Sequence, residues 1–104
     1  TGRGEANLYG LCSFLIVESM RRGMRPKDAG IEALRRVKSA TVERRLLNSR
    51  GEPNFHLNFY VLNASGEHAG VALYAGPTAV YGVCTENGAE NRPIEPLLQG
   101  SPNA

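Results

Sequence analysis

Phe55-His56-Leu57-Asn58-Phe59-Tyr60-Val61 is the stretch from which the fold is read: apolar Phe55, Leu57, Phe59 and Val61 alternate with His56, Asn58 and Tyr60. Successive side chains of a β-strand point to opposite faces, so this period of two predicts a strand with one face more apolar than the other. Downstream, Asn63-Ala64-Ser65-Gly66 predicts a turn, Val71-Ala72-Leu73-Tyr74 a returning strand, Gly76-Pro77 a second turn and Ala79 to Thr85 a third strand. Residues 54–86 therefore read as a three-stranded antiparallel meander. Residues 87–104, which carry Pro93, Pro96 and Pro102, read as an extended tail frayed at its end.

Upstream of the strand the period changes. From Glu5 to Arg22, Leu8, Leu11, Cys12, Leu15, Ile16 and Met20 recur at steps of three and four, widened by Phe14 and Val17. This predicts one helix buried over much of its circumference. Arg21 and Arg22 would oppose the negative end of its dipole, and Gly23 can take the left-handed conformation that stops it. Pro26 and Asp28 suit the first turn of a second helix, whose stripe is Ile31, Leu34 and Val37. Beyond Ala40, Val42 and Leu46 keep some helical spacing, but Asn48, Ser49, Gly51 and Pro53 close the segment, which reads as an irregular connection before the sheet. The fold class is α+β: a loop and helical layer over 1–50, then the sheet. Two helices can shield only one face of such a sheet, so another polypeptide, or residues preceding Thr1, is expected to bury the remainder.

The 104 residues fit a single domain or part of one, and no apolar run is long enough to span a bilayer. The chain starts at Thr1-Gly2 without an initiator Met or a leader, which reads as a processed or incomplete piece. Cys12 and Cys84 are too few for a disulfide framework and are expected reduced in the core. His56 and His68 lack metal-ligand spacing and read as exposed strand or turn residues. Asn63-Ala64-Ser65 matches a glycosylation acceptor but reads better as a hairpin turn. Ten of the twelve basic residues fall between Arg21 and Arg50 against three acids, a local +7 within a chain of net +2. Such a face could bind phosphate backbones, but without interleaved aromatics a solvated helix or an acidic partner subunit is the preferred account.

Chemistry is most legible in Thr1-Gly2-Arg3-Gly4-Glu5. Two glycines permit close approach of a ligand where a helix begins, and a Thr hydroxyl beside a Gly N–H would make a two-donor oxyanion hole. The plainer account is a flexible helix entry with Thr as cap. A third account makes Thr1 itself a nucleophile with its own α-amine as base, but Thr1 leads through a glycine loop into a helix rather than opening a buried strand.

This loop, followed by Ser13-Phe14, Val17-Glu18-Ser19-Met20-Arg21-Arg22-Gly23, the Phe59-Tyr60-Val61-Leu62-Asn63 strand and the Ser65-Gly66-Glu67 turn, resembles the C-terminal half of the glycosylasparaginase β-subunit. Those enzymes are N-terminal-nucleophile hydrolases of the wider type-2 asparaginase family. The resemblance spans nearly the whole chain. It implies an αββα sandwich, autocatalytic cleavage into α and β chains paired as (αβ)2, and a Thr nucleophile upstream of Thr1. It further implies that Thr1 and the Gly2 N–H form the oxyanion hole and that the Gly2 carbonyl accepts the substrate α-amine. Arg3 and Gly4 would complete the substrate loop, with no metal or organic cofactor. The implied reaction is hydrolysis of the N-acetylglucosamine–asparagine linkage, with L-asparaginase or isoaspartyl peptidase activity as the alternative within the family and a basic nucleic-acid-binding module as the one outside it. The chain departs from the lysosomal members in lacking their four β-chain cysteines, so a bacterial cytoplasmic or periplasmic member is the easier reading. The basic segment 41–53 has no role in the resemblance.

Overall fold

The computed structural model describes residues 1–103 as a mixed α+β domain of three α-helices and two small sheets. The helices are α1 (Gly4–Gly10), α2 (Cys12–Arg21) and α3 (Pro26–Ala40), and a 3-10 turn covers Arg44–Leu46. The strands are β1 (Asn58–Leu62), β2 (His68–Tyr74), β3 (Val80–Thr85), β4 (Gly88–Pro93) and β5 (Glu95–Leu98).

The single helix expected over 5–22 is two helices. Leu11 separates them in the left-handed conformation, at φ 47° and ψ 48°, directly after Gly10. Its N–H closes α1 onto Asn7 and Leu8 carbonyls, and its own carbonyl accepts from Leu15 at the start of α2. The break turns Cys12, Ile16 and Ser19 inward, while Leu8 (68%) and Phe14 (70%) stay exposed, so the helix is not buried around most of its circumference. A left-handed leucine costs about 1–2 kcal/mol through the clash of its Cβ. Because Leu11 is exposed, Leu11→Gly loses little burial and should raise stability by about 0.5–1 kcal/mol, read as a higher denaturation midpoint at unchanged m-value.

Arg21 ends α2, Gly23 follows at φ +106°, and Pro26 opens α3 at its first position. The inner stripe of α3 is made of Ala29, Gly30, Ala33, Leu34 and Val37, with Ile31 only half-buried. Small residues let this helix lie close against the sheet: a Cβ on Gly30 would stand 2.6 Å from Val71 Cγ2. The core joins Leu34 and Val37 to Leu57, Phe59, Val61, Val71 and Leu73. Thus the alternation that predicted β1 does sort its apolar face inward. The segment 41–50 is the irregular connection expected between helix and sheet, with the short 3-10 turn at Arg44–Leu46, and Val42 is exposed.

The main sheet has the order β1-β2-β5. β1 and β2 pair antiparallel, from Asn58↔Ala72 to Leu62↔His68, around a turn in which Asn63 Oδ1 accepts from the Ser65 and Glu67 N–H groups at 3.0 and 2.9 Å. The third strand is not the one expected. β5 pairs parallel with β2, and β3 pairs antiparallel with β4 in a separate hairpin, so the three-strand meander is corrected. Buried Ile94 and half-buried Leu97 and Leu98 give the later segment the apolar contacts that the largely exposed β3–β4 hairpin lacks. Pro96, which suggested a tail, is tolerated because β5 is an edge strand. The end of the described chain is pinned, not frayed: Pro102 is buried and its carbonyl accepts from Asn48 Nδ2, while the Ser101 carbonyl accepts from Arg50. Ala104 lies outside the described residues.

Candidate functional site

Thr1, Gly2 and Arg3 lie alongside the start of β1 as a short antiparallel pairing. The Thr1 α-amino nitrogen donates to the Asn58 carbonyl at 2.6 Å, the Asn58 N–H donates to the Thr1 carbonyl at 2.7 Å, and the Arg3 N–H donates to the His56 carbonyl at 2.9 Å. Gly2 faces Leu57 between these bonds. In an antiparallel ladder such an opposed pair exchanges no hydrogen bonds and approaches most closely, and its N–H and C=O groups point away from the partner strand. Gly2 therefore carries one donor and one acceptor directed off the sheet edge, and neither meets a partner among the described residues.

Glycine at this place follows from two constraints. The residue has φ +122°, and a Cβ there would stand 2.3 Å from the His56 carbonyl oxygen and 2.9 Å from Leu57 Cα. Gly4 differs: it opens α1 with nothing within 4 Å of an added Cβ, so space does not require a glycine there. Thr1 is exposed and its hydroxyl has no partner among the described residues. It is not the helix cap, since Arg3 occupies that position and no side chain caps α1.

Arg3 turns to the other side. Its guanidinium contacts Glu5 at 3.1 Å and lies 5.5 Å from the centroid of the Phe55 ring. Glu5 is held below its ordinary carboxylate range first by a hydrogen bond from its own backbone N–H and next by Arg3. Two concavities result. One of about 520 Å³ lies between α1, the end of α3, the 41–46 segment and Phe55, and includes Arg3, Cys12 and Thr41. The other, of about 350 Å³, is a groove between α1, α2 and β1 and includes Thr1. Thr1 lines the smaller groove and Gly2 follows it in the same short pairing, whereas Arg3 lines the larger cavity and not the Thr1 groove.

The groove contains a residue that sequence reasoning passed over. Asn7 Oδ1 is buried without a hydrogen-bond partner, on the groove's helical wall. Its only sequence signal is an asparagine inside a helix, where it is a modest helix former. Asn58 and Tyr60 stand opposite, the Asn58 Nδ2 reaching the Tyr60 hydroxyl at 3.4 Å.

The remaining candidates separate from this site. Cys12 is buried, and loss of solvation pushes its thiol pKa up; Cys84 is exposed on the hairpin, which corrects its expected core position. Both are free thiols. His56 is exposed, and His68 Nδ1 lies 2.8 Å from the Tyr81 hydroxyl, tying the hairpin to β2. No group of three His, Cys, Asp or Glu residues among those described could hold a metal ion. No described helix is long and apolar enough to cross a membrane. Of the basic residues in 21–50, Arg21, Arg35, Arg36, Arg45 and Arg50 are paired with carboxylates. No model of a known protein family and no curated protein matches the chain.

Proposed function

We propose that the chain is part of an amidohydrolase that cleaves the side-chain amide of asparagine, in the first place the N-acetylglucosamine–asparagine linkage. The observation that carries this reading is the geometry of Gly2. Its unpaired N–H is fixed by strand alternation, beside the unpartnered hydroxyl of Thr1, at a position where no other residue fits. A backbone donor oriented before the charge develops, with a hydroxyl on the adjacent residue free to join it, is what a tetrahedral oxyanion needs.

In the proposed reaction a Thr outside these residues, at the freed N-terminus of a processed chain, attacks the side-chain carbonyl. Its hydroxyl proton passes to its own α-amine, the carbonyl oxygen takes up negative charge between Thr1 Oγ and the Gly2 N–H, and collapse expels the protonated amine. Water then releases aspartate from the acyl-enzyme. The Gly2 carbonyl, also free, is the acceptor for the substrate α-amine. The resemblance in residues 1–5 and 17–23 supports the same assignment, and the helical layer over one face of the β1-β2-β5 sheet fits half of an αββα sandwich. Exposed Leu8, Tyr9, Leu11, Phe14 and Val17 on α1 and α2 fit a companion segment of the same precursor, within an (αβ)2 assembly.

The test is competition among substrates with the complete, processed protein. Release of amino-sugar from glycosylasparagine supports the first reading. Ammonia from asparagine, or peptide from an isoaspartyl dipeptide, without amino-sugar release assigns the protein to the other branch of the family. Absence of all three activities, together with steeply salt-dependent binding to nucleic acid, overturns both in favour of the basic binding module.

A further inference from the structure

The open edge of β1 carries an inference about what fills the Thr1 groove. Asn63 donates to the Glu67 carbonyl and Leu73 donates to the Leu57 carbonyl, so the odd-numbered residues of this stretch bond toward β2. The even-numbered ones turn their N–H and C=O groups the other way. Asn58 spends both of its groups on Thr1. Tyr60 and Leu62 direct theirs to the same edge, and no residue among those described meets them. The groove of about 350 Å³ runs along this edge, floored by Ile16, Val17 and Met20, with Asn7 on its helical wall.

We propose that the groove is the seat of an extended strand leading directly into Thr1 and running antiparallel to β1 past Tyr60 and Leu62. This rests on the preceding reading, in which further polypeptide of the same precursor lies ahead of Thr1. Continuing the Gly2↔Leu57 register places the second residue ahead of Thr1 opposite Tyr60 and the fourth opposite Leu62, each pair exchanging two hydrogen bonds. The first and third fall opposite Phe59 and Val61, and directly opposed residues share a face of a sheet. These two positions therefore take apolar side chains directed to the core. The Thr1–Arg3 pairing is then the last part of a longer strand, and that strand fixes the Thr1 hydroxyl beside the Gly2 N–H.

Amide hydrogen exchange tests the proposal in the 104-residue chain carrying Thr-Val-Thr-Val immediately before Thr1. The Tyr60 and Leu62 amides should exchange about tenfold or more slowly than in the unextended chain. Proline at the second and fourth positions ahead of Thr1 removes the N–H groups that would donate to the Tyr60 and Leu62 carbonyls and sets its ring against those carbonyls, so this extension should not dock and both amides should stay unprotected. No slowing with the first extension, or equal slowing with both, overturns the proposal. So does concentration-dependent protection in the unextended chain, which would make a second copy the occupant. Should the extended chain fail to fold, acetyl-Thr-Val-Thr-Val-amide added to the unextended chain at millimolar concentration gives the same reading: protection supports the strand and its absence overturns it. Exchange requires no turnover, so a protected edge in a protein without amidase activity would retain the strand and reject the enzyme.

Discussion

Thr1→Ala in the complete, processed protein should lower amidase turnover by about a hundredfold or more, the usual consequence of removing one oxyanion donor. Stability should move by no more than about 0.5 kcal/mol, because the Thr1 hydroxyl is exposed and has no partner among the described residues, and the pairing with Asn58 uses only the main chain. Thr1→Ser, which keeps the hydroxyl, should recover most of the loss. The discriminating feature is the kinetic pattern. An interaction made only in the transition state lowers kcat and kcat/KM together and leaves KM in place. Turnover within a factor of two of the parent, with normal folding, would reject Thr1 as an oxyanion donor.

Gly2→Ala should be worse, and for a different reason. The added carbon would stand 2.3 Å from the His56 carbonyl oxygen, a backbone atom that cannot rotate aside, in a residue whose φ of +122° an L-amino acid rarely adopts. Relief requires the N-terminal pairing to separate from β1, which breaks its hydrogen bonds to His56 and Asn58. The expected result is a loss of about a thousandfold or more in turnover, since both donors leave their positions together. Faster amide exchange at Arg3 and Asn58 should accompany it. The helix–sheet core lies elsewhere and should keep its thermal transition within a few degrees. Gly4→Ala supplies the contrast, because space is open around Gly4; retained activity there beside loss at Gly2 would locate the requirement in one glycine of the loop.

That contrast shows what could be read from the residues alone. Both glycines stood out, but which of them is sterically required is decided by the His56–Leu57 backbone more than fifty positions away, and a local pattern carries no such information. The β1 alternation, the Gly23 stop, the Pro26 start and the Asn63 turn were legible because each is determined within a few residues. Leu11 was not, since leucine is an ordinary helix former and nothing in its type signals the left-handed conformation that it takes here. β5 was obscured for a related reason. Its parallel pairing with β2 depends on a competition for one sheet edge, and the prolines in 93–96 weigh against a strand locally although an edge strand accommodates them. Asn7 gave almost no signal because an unpartnered oxygen exists only once its surroundings are assembled.

The pairing of Thr1 with Asn58 joins positions 57 apart in the chain, and this bears on the order in which the molecule assembles. Closing so long a loop costs entropy that only a preformed strand can repay, so β1 must find β2 through their short turn before Thr1 has anything to dock on. The two donors at Thr1 and Gly2 are therefore a late product of folding. Any chemistry that depends on them is withheld from partly folded chains, and its onset would report that the sheet is complete.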